Sequence, residues 1–272
     1  MKVREALAAA ATRLATASDT PRLDAELLMA HVLGVEREDL LLSSMDTEAP
    51  PAFDPLANRR EAGEPVAYLT GKRAFWTIEL KVGPGVLIPR PDSETLIEAA
   101  VAHFGSRGPA TVLDLGTGPG TLLLAALDQW PEAKGVGIDA SEDALAFAWG
   151  NASQLGVSSR AEFLAGNWGE GLDRQFDLIL CNPPYVEAGA DLPRDVSGYE
   201  PSSALFAGED GLDDYRRLAP QMAGLLAPGG IACIEIGAGQ EEAVRALFST
   251  DGLSIESRKD LGGHVRCLTL RH

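Results

Sequence analysis

Val112-Leu113-Asp114-Leu115-Gly116-Thr117-Gly118-Pro119-Gly120 is the stretch on which the reading of this chain turns. An apolar strand runs straight into a turn holding Gly116, Gly118 and Gly120, and the apolar run 122–127 follows at once. A glycine-rich turn between a strand and a helix lets the backbone approach a ligand closely and leaves the first helical amides free to donate. Asp139 closes the next apolar run, where a carboxylate can accept both hydroxyls of an adenosine ribose. A dinucleotide fingerprint would place its third glycine at position 121; Thr121 stands there and the glycine comes one place early, as Gly120. That shift favours a site for S-adenosylmethionine over one for a dinucleotide, built from Gly116, Thr117, Gly118, Pro119, Gly120 and Asp139.

From residue 91 to the end, strand-like and helix-like runs alternate, the pattern of a parallel sheet covered by helices. Seven strands are expected, at 111–114, 135–139, 161–164, 176–181, 231–236, 253–257 and 264–270, giving an α/β, Rossmann-like fold with a mostly parallel sheet. The stretch 187–210 is a long polar loop of the kind a compact fold keeps for substrate binding. Before residue 91 the pattern differs. Residues 75–82 and 86–88 read as two strands around Gly83-Pro84-Gly85, a β-hairpin linker spanning 73–90. Residues 1–72 read as a helical bundle, with Val3, Leu7 and Leu14 on one face and Leu23, Leu27, Leu28 and Met29 on another. Thr20 before Pro21 and Asp54 before Pro55 look like N-caps, and Gly34 and Gly63 like helix stops. Every chemical motif falls after Arg90, so the bundle reads as a packing or substrate-docking surface.

With 272 residues, 45% hydrophobic and 23% charged, the chain can bury a substantial core. Arg4, Glu5 and Arg13 interrupt the early alanine run, so no signal peptide or membrane span is expected and the protein is read as cytoplasmic. A net charge of −17 opposes close approach to a phosphate backbone, and no stable nucleic-acid binding is expected. Cys181, Cys233 and Cys267 each sit in a strand-like run and read as small buried hydrophobes. No metal site is expected from them or from the four histidines.

The most specific motif is Asn182-Pro183-Pro184-Tyr185, directly after the strand 176–181, at the sheet edge where open α/β folds bind ligands. An amide nitrogen is a weak nucleophile because its lone pair is delocalised. A site that alkylates it must hold it in line with the methyl donor by accepting its N–H bonds. The Asn182 and Pro183 carbonyls can each accept one, the two prolines remove competing donors and stiffen the loop, and Tyr185 offers a flat face to a planar substrate. Near-attack positioning is worth on the order of 7–11 kcal/mol, so no dedicated base is needed. Trp168, after the third strand, is a candidate to lie against an adenine ring. Glu200-Pro201 and Gly208-Glu209-Asp210-Gly211 are candidates to shape an acceptor channel, and Arg90 in Ile88-Pro89-Arg90-Pro91 is first an ion-pair candidate.

Taken together and in order, these elements resemble the PrmC/HemK-type N5-glutamine methyltransferases of class-1 peptide chain release factors. The likeness covers nearly the whole chain: the helical N-terminal part, Gly85 to Pro91, Asp114 to Gly120, Asp139, Trp168, Asn182 to Tyr185, Tyr199-Glu200-Pro201 and Gly208 to Gly211. The resemblance implies a class I methyltransferase domain at 91–272 in which Gly116–Gly120, Asp139 and Trp168 bind S-adenosylmethionine. It also implies that Asn182, Pro183, Pro184 and Tyr185 hold the glutamine of a Gly-Gly-Gln loop, in a monomeric enzyme of translation termination. One residue departs from the family: Asn167 stands where an aspartate usually precedes the tryptophan, which removes a charge near the adenine amino group. Two other acceptors share the Asn-Pro-Pro-Tyr chemistry, a glutamine of a ribosomal protein and the exocyclic amine of adenine or cytosine in nucleic acid. The acidity of the chain argues against the second.

Overall fold

The computed structural model describes residues 1–249 and 252–272. The chain folds as two compact units, Met1–Lys72 with Leu192–Glu200, and Arg73–Asp191 with Pro201–His272. Residues 192–200, which sequence assigns to the third segment, therefore pack with the helical unit.

In the first unit the chain forms α1 (Val3–Leu14), α2 (Pro21–Leu33), the single turn α3 (Arg37–Asp39), α4 (Phe53–Glu61) and α5 (Val66–Thr70). Val3, Leu7 and Leu14 of α1 are buried with Ala6 and Ala10 against Leu28 and Met29 of α2, as their helical spacing requires. Leu23 departs from that face and is exposed. Pro21 opens α2 and Gly34 closes it in the left-handed conformation at φ 67°. Asp54 is not a cap: α4 begins one residue earlier, after Ala52, so Asp54 sits in the first turn, where its carboxylate complements the helix dipole. Arg60 of α4 is 5% exposed; its Nε donates to Asp24 of α2 at 2.7 Å, and its Nη2 reaches Asp195 at 3.4 Å. That buried cation ties α2, α4 and the turn α9 (Arg194–Ser197) together.

In the second unit β1 (Lys72–Phe75) and β2 (Ile78–Lys81) form a two-stranded sheet. The expected hairpin is thus displaced. Its turn is Trp76-Thr77, whereas Gly83-Pro84-Gly85 follows the second strand and the expected strand 86–88 is irregular. Trp76 adopts the turn at φ 54°, held by Glu94, which accepts its backbone N–H at 2.9 Å, and by Gln129, which accepts its indole N–H at 3.0 Å.

All seven expected strands form one sheet: β3 (Thr111–Leu115), β4 (Lys134–Asp139), β5 (Ala161–Ala165), β6 (Phe176–Cys181), β7 (Leu226–Glu235), β8 (Ser254–Lys259) and β9 (Val265–Arg271). Their order is β5-β4-β3-β6-β7-β9-β8; the first five are parallel and β9 is antiparallel to both neighbours. Alternate residues feed two cores. Val112, Leu178, Leu180 and Cys233 meet α6 (Glu94–Phe104), α7 (Thr121–Gln129) and α8 (Glu142–Gln154). Leu113, Ile179, Cys181 and Ile234 meet α10 (Asp213–Leu225) and α11 (Glu241–Phe248). From β3 the chain winds outward through β4 and β5, then returns to lay β6 on the other side of β3. This reversal opens a crevice at the strands' carboxyl ends.

Candidate active site

The crevice holds a cavity of about 640 Å³, within the range of small-molecule sites. One wall is the turn after β3. Gly116, Gly118 and Gly120 all have positive φ, and the Gly116 and Thr117 amides donate to the Ile138 carbonyl at 2.9 Å, locking the turn to β4. At Gly120 (φ 86°) a Cβ would lie 2.7 Å from Leu124 Cδ1, so only glycine fits the entry to α7. Asp139 is fixed through both oxygens: Oδ2 accepts from Gly118 N at 2.8 Å and Oδ1 from Ser141 N at 2.9 Å. Each oxygen keeps a second lone pair for a ligand hydroxyl.

Asp114, 1% exposed, lies beneath the same turn. Its Oδ2 accepts from the Thr117 hydroxyl at 2.7 Å and from Leu123 N at 3.1 Å, while Oδ1 has no partner and the residue lines the cavity. Burial raises its pKa to about 7 against the opposing hydrogen bonds from Thr117 and Leu123, and the nearby charge of Asp139 adds to the rise. A buried acceptor left without a partner among the described residues, on a residue that lines the cavity, suits a cationic or N–H-bearing ligand group. Trp168, in the left-handed region at φ 53°, lines the cavity with Asp214. Asn167 beside it also lines the cavity and donates to Glu170 at 2.7 Å.

The opposite wall follows β6. Asn182 and Pro184 line the cavity, Pro183 is buried behind them, and Tyr185 turns its hydroxyl away to donate to Glu235 Oε1 at 3.3 Å. Burial, then the charge of Glu235, raises the Tyr185 pKa, so the phenol stays protonated. The Asn182 Nδ2 donates to the Ser93 hydroxyl at 3.1 Å. Gln240 pins the loop from behind: its Nε2 donates to the Tyr185 carbonyl at 3.0 Å and its Oε1 accepts from Gly237 N at 3.0 Å. Gly211 passes so close that a Cβ would lie 2.4 Å from the Tyr185 carbonyl oxygen, which explains a glycine there. Of the other candidates, Pro201 and Arg90 line the cavity, whereas Glu209 and Asp210 are exposed and Asp210 pairs with Arg216.

Sequence reasoning passed over Asp114, Ser93, Glu235 and Gln240. Asp114 and Glu235 sit in strands that read as apolar, and a buried carboxylate among strand residues carries no local signature. Ser93, in the turn after Arg90, acquires a role only when β6 and β7 are brought beside it.

Two family models match the chain, a PrmC N-terminal domain over residues 5–71 and a methyltransferase domain over residues 108–251. A release factor glutamine methyltransferase of Rhodospirillum rubrum is 43% identical over 259 residues, covering 93% of this chain and 79% of that protein. Another, from Caulobacter vibrioides, is 40% identical over 270 residues, covering 96% and 93%. A methyltransferase crystal structure from Pyrococcus furiosus, at 18% identity and a TM-score of 0.54, covers 72% of this chain and 90% of its own and shares the fold. With that identity sustained across both units, and the glycine turn facing Asn182-Pro183-Pro184-Tyr185 across one cavity, the chain belongs to the release factor glutamine methyltransferase family.

Proposed function

We propose that this protein transfers a methyl group from S-adenosylmethionine to the side-chain amide nitrogen of the glutamine in the Gly-Gly-Gln loop of class-1 peptide chain release factors. The observation that carries the reading is the anchored amide of Asn182. With Nδ2 committed to Ser93, Oδ1 is the atom left to accept an N–H bond, on the cavity wall opposite Asp139 and the glycine turn. The relatives' names supply the acceptor class.

When bound, S-adenosylmethionine supplies an electrophilic methyl on a sulfonium that leaves as a neutral thioether. The chain's own residues do the rest. Asp139 takes the ribose hydroxyls, the unpartnered Asp114 Oδ1 takes a donor from the methionine end, and Trp168 flanks the adenine. Asn182 Oδ1 and the Pro183 carbonyl accept the two amide N–H bonds and hold the nitrogen in line with the methyl; one of these protons leaves to water after transfer. Tyr185 stiffens the wall behind Pro184 through its bond to Glu235. The helical unit, Met1–Lys72, serves as a docking surface, since one amide offers few atoms for discrimination and protein interfaces bury roughly 1,200–2,000 Å². Among the described residues no helix is long and apolar enough to cross a membrane. We read the protein as a cytoplasmic monomer that does not act on nucleic acid.

Incubation with labelled S-adenosylmethionine and intact release factors, followed by peptide mapping, tests the reading. Label on the Gly-Gly-Gln glutamine is expected; label on a ribosomal protein or on nucleic acid, with none on release factors, would overturn it.

A further inference from the structure

Behind Asn182 the Ser93 anchor leads on to buried polar groups that do not touch the cavity's ligands in the chemistry above. Ser93, 2% exposed, ends a turn at 91–93, and Glu235, 1% exposed, ends β7, the neighbour of β6. The Ser93 hydroxyl receives the Asn182 Nδ2 proton at 3.1 Å, and it is near enough to the Glu235 carboxyl to favour that group's charged form. The Tyr185 hydroxyl donates to Oε1 of that carboxyl at 3.3 Å, and the Glu235 backbone carbonyl accepts from the Tyr215 hydroxyl at 2.9 Å. The two side chains of the Asn-Pro-Pro-Tyr loop that carry polar groups thus converge on one buried carboxylate.

We infer that Ser93 and Glu235 are positioning residues that fix which end of the Asn182 amide faces the acceptor. The inference rests on the proposed role of Asn182. Its logic is proton counting. A serine hydroxyl has one proton and two lone pairs, and a carboxylate is an acceptor only. Once the Ser93 proton goes to Glu235, only lone pairs face Asn182, and they accept Nδ2 and repel Oδ1. A flipped amide would set two acceptors against each other and present two N–H groups to the substrate nitrogen, which needs acceptors. Burial pushes the Glu235 carboxyl up; the Ser93 and Tyr185 hydroxyls and the charge of Arg266, itself paired with Asp92 at 3.2 Å, act against that rise and favour the acceptor form. Glu235 Oε2 has no partner, so this carboxylate is held at a desolvation cost that packing alone does not require.

The test uses the full chain with Ser93→Ala, the isosteric Glu235→Gln, and Ser93→Thr, which keeps the hydroxyl. Turnover on the release factor is expected to fall about tenfold or more in the first two and to stay near wild type in the third, with S-adenosylmethionine affinity unchanged throughout. The double variant Ser93→Ala with Glu235→Gln should be no slower than the worse single, because the chain is broken once. A second readout does not depend on the acceptor. In protein with ¹⁵N-labelled asparagine, the Asn182 side-chain NH₂ signal, assigned by its loss in Asn182→Ala, should shift and exchange faster in Ser93→Ala and Glu235→Gln. Unaltered turnover in folded variants, additive losses, or an unmoved Asn182 signal would overturn the inference. Absent methylation by wild type together with a shifted signal would instead count against the acceptor and leave the positioning intact.

Discussion

The two walls of the cavity are built on opposite plans. The wall after β3 is local: three glycines, the Asp139 carboxylate and the α7 amides lie close in sequence, and backbone N–H groups hold Asp139 in place. The wall after β6 is assembled from afar. Asn182 is anchored by Ser93, Tyr185 by Glu235, and the loop carbonyl by Gln240, at sequence separations of 89, 50 and 55 residues. A wall made from one βα turn and the end of the neighbouring strand forms once β3 and β4 pair. One made from side chains of three other elements forms only once the sheet is complete. The first plan suits a cofactor, the second an acceptor that must be oriented closely.

The largest break in this comparison should come at Asn182. Asn182→Ala removes the acceptor proposed to orient the nucleophile, and turnover should fall by roughly two to three orders of magnitude in a protein that still folds. Steady-state kinetics on a release factor check it; near-normal turnover would take Asn182 out of the mechanism.

A pH effect on stability comes next, and it touches both walls. Burial raises the pKa of Glu235 to about 7, against hydrogen bonds from Ser93 and Tyr185 and the charge of Arg266, and Asp114 rises to about 7 likewise. The folded state therefore keeps protons that the unfolded chain has released above about pH 4.5. Stability from these groups is fully present below pH 4 and is lost as pH rises through about 7. Glu235→Gln removes one share, on the order of 3 kcal/mol at most. Denaturant melts at pH 5 and pH 8 should show a smaller loss in the variant than in wild type, and an equal loss would refute the buried-acid assignment.

Asp139→Ala removes the charged acceptor proposed for two ribose hydroxyls, worth roughly 1.5–3 kcal/mol per bond, and also frees the Gly118 and Ser141 amides. Calorimetry should show S-adenosylmethionine binding weakened by at least about tenfold. The smallest effect is expected at Asn167. Asn167→Asp adds a charged acceptor at an exposed position on the cavity rim and should tighten cofactor binding by roughly 0.5–1 kcal/mol; weaker binding would show that the adenine does not lie there.

What sequence made legible follows the same division. The sheet, the glycine turn and Asp139 could be read because periodicity, glycine spacing and strand ends are local signals. The hairpin was misplaced because Trp76, a bulky residue in a left-handed turn, is held by Glu94 and Gln129 from α6 and α7, while Gly83-Pro84-Gly85 offers a stronger turn signal. The segment 192–200 looked like part of a substrate loop. Its place in the helical unit depends on Arg60, which is one of several arginines in the sequence until folding buries it between Asp24 and Asp195. Glu235 in Ile234-Glu235-Ile236 reads as the end of a strand; only the pairing of β6 with β7 reveals it beneath Tyr185.

In the proposed function one wall binds the cofactor and the other orients the acceptor. Measuring S-adenosylmethionine affinity by calorimetry and the single-turnover methylation rate at saturating cofactor, in Asp139→Ala and Asn182→Ala side by side, tests it most directly. A crossed result is expected: affinity falls in Asp139→Ala with the saturated rate largely kept, and the rate falls in Asn182→Ala with affinity largely kept. Loss of both quantities together in both variants would contradict it.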